Sequence, residues 1–469
     1  MKYIRSGALA FVAAVGLAGC GGGGDDSPPP ARATIVTAQL AGQATTAQID
    51  AGTSASGIQA LTGTAKCNVD IRYVLYITRD PRGEVATASA GVLVPSGTDA
   101  ACTGPRPVVL YAHGTTTTKS KNMADVVNDS EASLLMAMYA AQGFIVVAPN
   151  YLGYDKSSLS YHPYLNAEAS AIDMVDGLRA AKAHLNAASA VKPSDKLFVS
   201  GYSQGGHVAM ATHRAIERDY ASEFTVTAAG PMSGPYNLIG FADLITTTGP
   251  VAAGSTVFVP LMLTSYQKSY GDIYAKTSDV YQSPFDVGIE SLFPTDTPLS
   301  TLVAQGKLPA DPSFTALFGT GGLLLDTFKT SYATSNYRKA IVTNTLAGMD
   351  GSTAIGWKPK RPVALCGGAQ DPTVFWAANT PVAQAVFQAQ GVTVPAWDLE
   401  SPPAITDPTY PVYAGFAQAK AQTAAAAVTA GATDGGVSAV RGAYHGTLVP
   451  PFCTALERGF FQQVLASGL

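Results

Sequence analysis

Lys196-Leu-Phe-Val-Ser-Gly-Tyr-Ser-Gln-Gly-Gly-His207 holds a short apolar run, Leu197 to Val199, that ends in Gly201-Tyr-Ser203-Gln-Gly205. A helix-compatible segment, Val208 to Tyr220, follows directly. G-x-S-x-G between a strand and a helix forces the serine into a strained backbone and raises its Oγ above the sheet. Side chains two residues either side would collide, so glycine is required at Gly201 and Gly205. A helix starting at the serine turns its positive end, and the Gln204 N–H, toward any oxyanion forming there. Glycine fills 47 of 469 positions, so the bare pattern is expected roughly 0.3 times by chance and its meaning depends on what surrounds it.

Upstream, Pro107-Val-Val-Leu-Tyr-Ala-His113-Gly114-Thr115 is a buried-strand run ending in His-Gly, and Gly143-Phe-Ile-Val-Val-Ala-Pro149-Asn150-Tyr151 is a second. Helical patterns over Ala132–Gln142 and Leu165–Leu185 separate these strands; the second places Ile172, Val175, Leu178 and Leu185 on one face. A further run, Phe224 to Ala229, leads into Ser233-Gly-Pro235. Alternating strands and helices predict an α/β fold, a mostly parallel sheet covered by helices on both faces. Ligands of such sheets bind beyond the carboxyl ends of the strands, where His113-Gly114, Asn150-Tyr151 and Ser203 all fall.

Met1 to Cys20 reads as an export signal: Lys2 and Arg5, then an apolar core, Ala8 to Leu17, too short to span a bilayer. Leu17-Ala18-Gly19-Cys20 resembles the lipobox of bacterial lipoproteins, which implies that Cys20 is the lipidated first residue of the mature chain; the alternative is an ordinary secretory signal with an incidental cysteine, and a secreted protein. Gly21 in the next position resembles the outer-membrane sorting pattern, facing the periplasm or the outside, and Gly21 to Pro30 supplies a tether. Charged residues make up only 13%, against about 25% in ordinary domains. A net charge of −4 leaves no footprint for nucleic acid. Ala31 to Ala65 shows little periodicity and reads as a surface arm. Four cysteines remain for two disulfides. Strand-like Val69–Arg79 and Val85–Val94, joined by Asp80-Pro-Arg-Gly-Glu84, fold as a hairpin that brings Cys67 to Cys102, which leaves Cys366 for Cys453.

The hairpin, Tyr-Ala-His113-Gly114-Thr115, Ala-Pro149-Asn150-Tyr151, His162-Pro163-Tyr164-Leu165 and Gly201-Tyr-Ser203-Gln-Gly205-Gly206 together resemble the α/β-hydrolase superfamily. Within it the chain is most similar to secreted lipases and esterases of the fungal secretory-lipase type and their bacterial relatives, over most of Cys67 to Leu469 and least between Asn237 and Trp357. Asn150 departs from the aspartate that the resemblance leads one to expect. The resemblance implies the order nucleophile, acid, histidine. Downstream of Ser203, Arg361-Pro-Val-Ala-Leu-Cys366-Gly-Gly-Ala-Gln-Asp371 is a strand, a Gly-rich turn and a carboxylate, a setting that Asp326, Asp350, Asp398 and Asp407 lack. An aspartate there also suits an Asx turn or a helix cap. Of six histidines only His445 lies beyond the acid, in what reads as a late loop. His162, His184, His207 and His213 flank or lie on helices, and His113 belongs to the His-Gly turn.

These readings predict a serine carboxylic-ester hydrolase with catalytic Ser203, Asp371 and His445, and with the Gln204 and Thr115 N–H groups as oxyanion donors. A Cys366–Cys453 bridge would clamp the acid loop to the histidine loop. No metal or other cofactor is expected, and the partners are a small-molecule or lipid ester and the membrane that Cys20 reaches. The domain organisation expected is a signal peptide over 1–19, tether and arm over 20–65, hydrolase core over 66–236, an inserted helical cap over 237–360, and the rest of the core over 361–469. The cap is rich in aromatic residues such as Tyr266, Tyr281 and Phe318, suited to an apolar pocket. Two other functions share some of these features. A peptidase of the prolyl-oligopeptidase type would need a propeller, for which the roughly 85 residues before the first core strand are too few. A catalytically inactive surface-binding lipoprotein would have no reason to keep all three triad candidates.

Overall fold

The computed structural model describes residues 28–247 and 249–468. The export signal and Cys20 therefore lie outside the described residues. The strands are β1 (Ile35–Ala44), β2 (Asn68–Arg79), β3 (Val85–Ser96), β4 (Pro105–Ala112), β5 (Ile145–Pro149), β6 (Lys192–Tyr202), β7 (Val226–Met232), β8 (Gly348–Asp350), β9 (Thr353–Ile355), β10 (Leu365–Gly367) and β11 (Ala396–Asp398). Nine of them form one sheet in the order β1-β2-β3-β5-β4-β6-β7-β10-β11, and β8 pairs only with β9. From β5 to β11 all pairings are parallel. The β1–β2, β2–β3 and β3–β5 pairings are antiparallel.

Period-two alternation divides the central strands between two cores. Val108 and Leu110, Ile145 and Val147, Leu197 and Val199 face one side, packing against helices Ala167–Ala188 and Gln204–Asp219. Val109, Val146 and Phe198 face the other, under helices Ser130–Met138 and Val449–Ala466. Leu178, Leu185 and Val199 are fully buried. Each such side chain contributes about 1.5–3 kcal/mol. Gly177 lets the first helix lie close to the sheet, since a Cβ there would sit 2.8 Å from Pro149 Cγ and 2.9 Å from the Tyr76 hydroxyl.

The Ala31–Ala65 segment is more ordered than its composition predicts. It supplies β1 and helix Thr46–Ala55. As an edge strand β1 leaves Val36 and Leu40 half exposed, so the apolar alternation that betrays a strand is missing. Arg32, just ahead of it, donates to the buried Asp176 at 2.9 Å.

Between β7 and β10 the chain leaves the sheet. Helices Leu238–Thr247, Ser255–Tyr270, Leu299–Ala304, Asp326–Ser331 and Asn336–Asn344 surround a third apolar cluster containing Leu263, Tyr266, Tyr281, Leu323 and Ile341. The segment meets the loops that follow β4 and β5: the Thr295 N–H donates to Thr117 O, Ser120 Oγ donates to Asp296 Oδ1 and the Tyr266 hydroxyl donates to Leu165 O. Among the described residues no helix is long and apolar enough to cross a membrane.

Candidate active site

Ser203 follows β6 directly, at φ 61° and ψ −121°. For a residue with a Cβ this costs on the order of 1–3 kcal/mol. The turn is held because strand and helix cross with nothing between them. A Cβ on Gly205 would run into the Ala112 carbonyl oxygen, and one on Gly201 into the carbonyl of Gly205. The Ser203 N–H is fixed by Met232 O at 2.9 Å. The Gln204 N–H opens the helix and, among the described residues, has no hydrogen-bond partner.

Two distant segments of the chain converge on this serine. His445 Nε2 lies 2.7 Å from Ser203 Oγ, and His445 Nδ1 lies 2.6 Å from Asp371 Oδ2. Asp371 also plays the capping role open to it in the sequence, since its Oδ1 accepts from the Thr373 and Val374 N–H groups. Of its competitors, Asp350 pairs with Arg338, Asp407 caps Thr409 and Asp326 accepts from Gly319. Asp398 braces the acid turn by accepting from the Ala369 N–H.

The histidine is not in a loop. Tyr444–Leu448 is one turn of π-helix running into helix Val449–Ala466, with the Val449 N–H reaching back to Tyr444 O. Pro450 and Pro451 follow. They have no N–H to give, so the ladder cannot continue as α through this turn. The Tyr202 hydroxyl donates to His445 O at 2.6 Å and fixes the turn from the end of β6, the residue before Ser203.

Both disulfides join the expected partners, Cys67–Cys102 and Cys366–Cys453. The second ties β10, which leads to Asp371, to the helix that follows His445. A polar cluster repeats the connection. The Tyr444 hydroxyl and Lys420 both donate to Glu400 Oε1, and Lys420 also reaches Gln370 Oε1 at 2.9 Å.

On the opposite side the His-Gly turn presents Thr115. His113 Nδ1 is 2.7 Å from Gly114 O and Nε2 is 3.2 Å from Asn150 O. Burial and the Lys121 charge push the ring's pKa down to about 4. A neutral ring carries one proton, assigned here to Nδ1 on the shorter contact. Asn150 serves as an amide should. Its Oδ1 accepts from the Met123 N–H at 2.7 Å and its Nδ2 donates to Ser89 Oγ at 2.9 Å. An aspartate could do only the first.

His162 has a part that its position beside a helix does not reveal. Burial pushes its pKa down to about 3. Its Nδ1 donates to Leu152 O, so its Nε2 accepts from Gln204 Nε2 at 2.6 Å. The contact spans 42 residues and leaves no local signal. His207 and His213 are buried structural residues, bonded to Asn344 O and Glu217, and His184 meets Arg72.

Ser203, Gln204 and Thr115 line one end of a cavity of about 860 Å³, counting the space open to solvent. Most of its walls come from the segment between β7 and β10, among them Leu238, Phe241, Ile245, Met262 and Phe328, with Tyr164, Leu165, Thr373 and Val374 completing them. An apolar cavity beside a raised serine at the carboxyl edge of a parallel sheet defines a class: this is a carboxylic ester hydrolase with the α/β-hydrolase fold.

The chain belongs to the secretory lipase family, whose sequence model matches residues 119–280. It is 31% identical to the rice cell wall degrading esterase LipA from Xanthomonas oryzae, with a TM-score of 0.69 over 79% of this chain and 91% of that one. A putative hydrolase from Legionella pneumophila shares the fold at 19% identity and a TM-score of 0.68, covering 92% of this chain and 98% of its own. Candida antarctica lipase A shares it at 14% identity and 0.53, covering 78% and 77%. No curated protein matches.

Proposed function

We propose that this chain hydrolyses esters with an apolar acyl group through a Ser203–His445–Asp371 triad and an acyl-enzyme. The observation that carries the reading is the unbroken line from Ser203 Oγ through the His445 ring to Asp371 Oδ2, at 2.7 and 2.6 Å, opening on the apolar cavity. Ser203 Oγ bonds to the ester carbonyl carbon while its proton passes to His445 Nε2. Asp371 accepts the Nδ1–H and stabilises the imidazolium. The Gln204 and Thr115 N–H groups receive the oxyanion. His445 returns the proton to the departing alkoxide as the C–O bond breaks. A water then gives its proton to Nε2 and attacks the acyl-enzyme; the acid leaves and Ser203 recovers its proton.

The segment 237–360 acts as a lid whose inner wall receives the acyl chain, a reading supported by its share of the cavity lining and its contacts with the loops after β4 and β5. Export and lipidation at Cys20 complete the proposal, resting on Leu17-Ala-Gly-Cys20 and the tether behind it.

The test is intact mass after treatment with a fluorophosphonate. One adduct on the parent and none on Ser203→Ala is the result expected. Labelling that survives in Ser203→Ala, or a parent that stays unlabelled even in detergent, would overturn the assignment.

A further inference from the structure

Thr115 can serve as an oxyanion donor only if its N–H is aimed, and the residue before it is a glycine. Gly114 has no Cβ to narrow its φ and ψ, so the direction of the next N–H must be set from outside. Two hydrogen bonds set it. The Gly114 carbonyl accepts from His113 Nδ1 at 2.7 Å. Because a trans peptide points its C=O and N–H in opposite directions, fixing that oxygen directs the Thr115 N–H away from His113. The Gly114 N–H donates to Glu131, at 3.0 Å to Oε1 and 3.3 Å to Oε2. Both peptide planes flanking Gly114 are thereby held.

Glu131 is itself well supported. It lies in the first turn of helix Ser130–Met138, where a negative charge is favoured. The Tyr111 hydroxyl, from β4, donates to Oε1 at 2.9 Å, and Lys121 Nζ is 3.5 Å from Oε2. The Lys121 ammonium, which also meets Asp129, offsets a carboxylate that would otherwise repel an oxyanion. The distances to the nucleophile are short. A Cβ built on Gly114 would lie 3.8 Å from both Glu131 Oε1 and Ser203 Cβ. Among the described residues the Thr115 N–H has no hydrogen-bond partner, whereas the Gly114 N–H is consumed.

We propose that Glu131 is a positioning residue for the hydrolytic reaction: by taking the Gly114 N–H it selects and aims the Thr115 N–H as the second oxyanion donor. The inference rests on the Ser203 mechanism above and goes beyond it, since Glu131 touches neither substrate nor triad.

Three variants decide it: Glu131→Gln, which keeps an acceptor in place without the charge; Glu131→Asp, which keeps the charge but withdraws the acceptor; and Glu131→Ala. Each is assayed on a soluble p-nitrophenyl ester, with the inhibition constant of a trifluoromethyl ketone measured beside kcat and KM. Loss of an oxyanion donor costs about 10²–10³ in rate, and a misaimed donor a part of that. Glu131→Ala and Glu131→Asp are expected to lose about 10- to 100-fold in kcat and in ketone affinity together, with KM within about twofold. Glu131→Gln should stay within about threefold of the parent on both. Equal losses in Gln and Asp, an effect confined to KM, or a folded Glu131→Asp with parental kcat would each overturn the proposal. If Glu131→Ala does not fold, the Gln and Asp pair still decides. Ser203→Ala, run in the same assay, separates this failure from failure of the mechanism: turnover near the parental level there would sink the triad itself.

Discussion

Glu457 offers a sharp test of the core. It lies in the final helix and is fully buried, with Oε2 accepting from the Tyr139 and Ser200 hydroxyls at 2.7 and 2.8 Å. Oε1 has no partner and presses against Gly230 of β7. Burial raises the carboxyl well above its ordinary pKa, so the fold holds the neutral acid. An unfolded chain ionises this group above about pH 4.3. The folded pKa is the higher of the two, so its contribution is complete below pH 4.3 and is lost as pH rises toward the folded value. Between the unfolded and the folded pKa the slope is about 1.4 kcal/mol per pH unit. The parent's own profile will not display this cleanly. Asp173, raised to about 7 mainly by burial, acts in the same direction. His113, His162 and His207, held neutral with pKa values of about 4, 3 and 4, act in the opposite one, losing stability as pH falls below 6.5. The difference between the parent and Glu457→Gln cancels these terms. The amide keeps the acceptor for Tyr139 and Ser200 but buries two N–H groups without partners, a pH-independent cost of about 1–3 kcal/mol. Urea unfolding at pH 5, 6 and 7 should therefore show the variant gaining on the parent as pH rises, by about 1.4 kcal/mol for each unit that lies below the folded pKa. A difference that stays flat across that range would refute the neutral buried acid.

Two further outcomes follow from contacts already described. Asn150→Asp places a carboxylate opposite Ser89 Oγ, whose proton is committed to Asp155; at pH 7 unfolding should show a loss of about 1–3 kcal/mol, partly recovered near pH 4, and parental stability at pH 7 would contradict the network. Ala242→Phe narrows the cavity wall, so turnover of a p-nitrophenyl palmitate should fall at least about tenfold while the butyrate stays within about threefold; a uniform loss would mean the acyl chain does not enter there.

The strained turn at Ser203 was legible because sterics leave so little choice at Gly201 and Gly205, and because the runs before His113 and Asn150 end at the same edge. Chain order singled out His445, but not the π turn that carries it, which follows from two prolines acting through a tertiary contact to Tyr202. The edge strand β1 escaped notice because water, not a core, meets most of it. Glu131, His162 and Glu457 were illegible for a shared reason. In sequence each reads as an ordinary polar residue on or beside a helix, and its significance lies in a partner 17, 42 or 257 residues away.

The direction of β1 has a consequence for how the enzyme meets its surroundings. Because β1 opposes β2, and β2 runs with β5, the chain enters the sheet at the edge where β4 and β6 deliver Thr115 and Ser203. Arg79, at the end of β2, holds the Pro30 carbonyl there, and Arg82 in the adjoining turn donates to Lys268 O of the covering helices. A leash attached ahead of Pro29 would therefore pull from the working side of the molecule. It would orient that side toward whatever surface holds the leash, so that such a surface becomes both mooring and hunting ground.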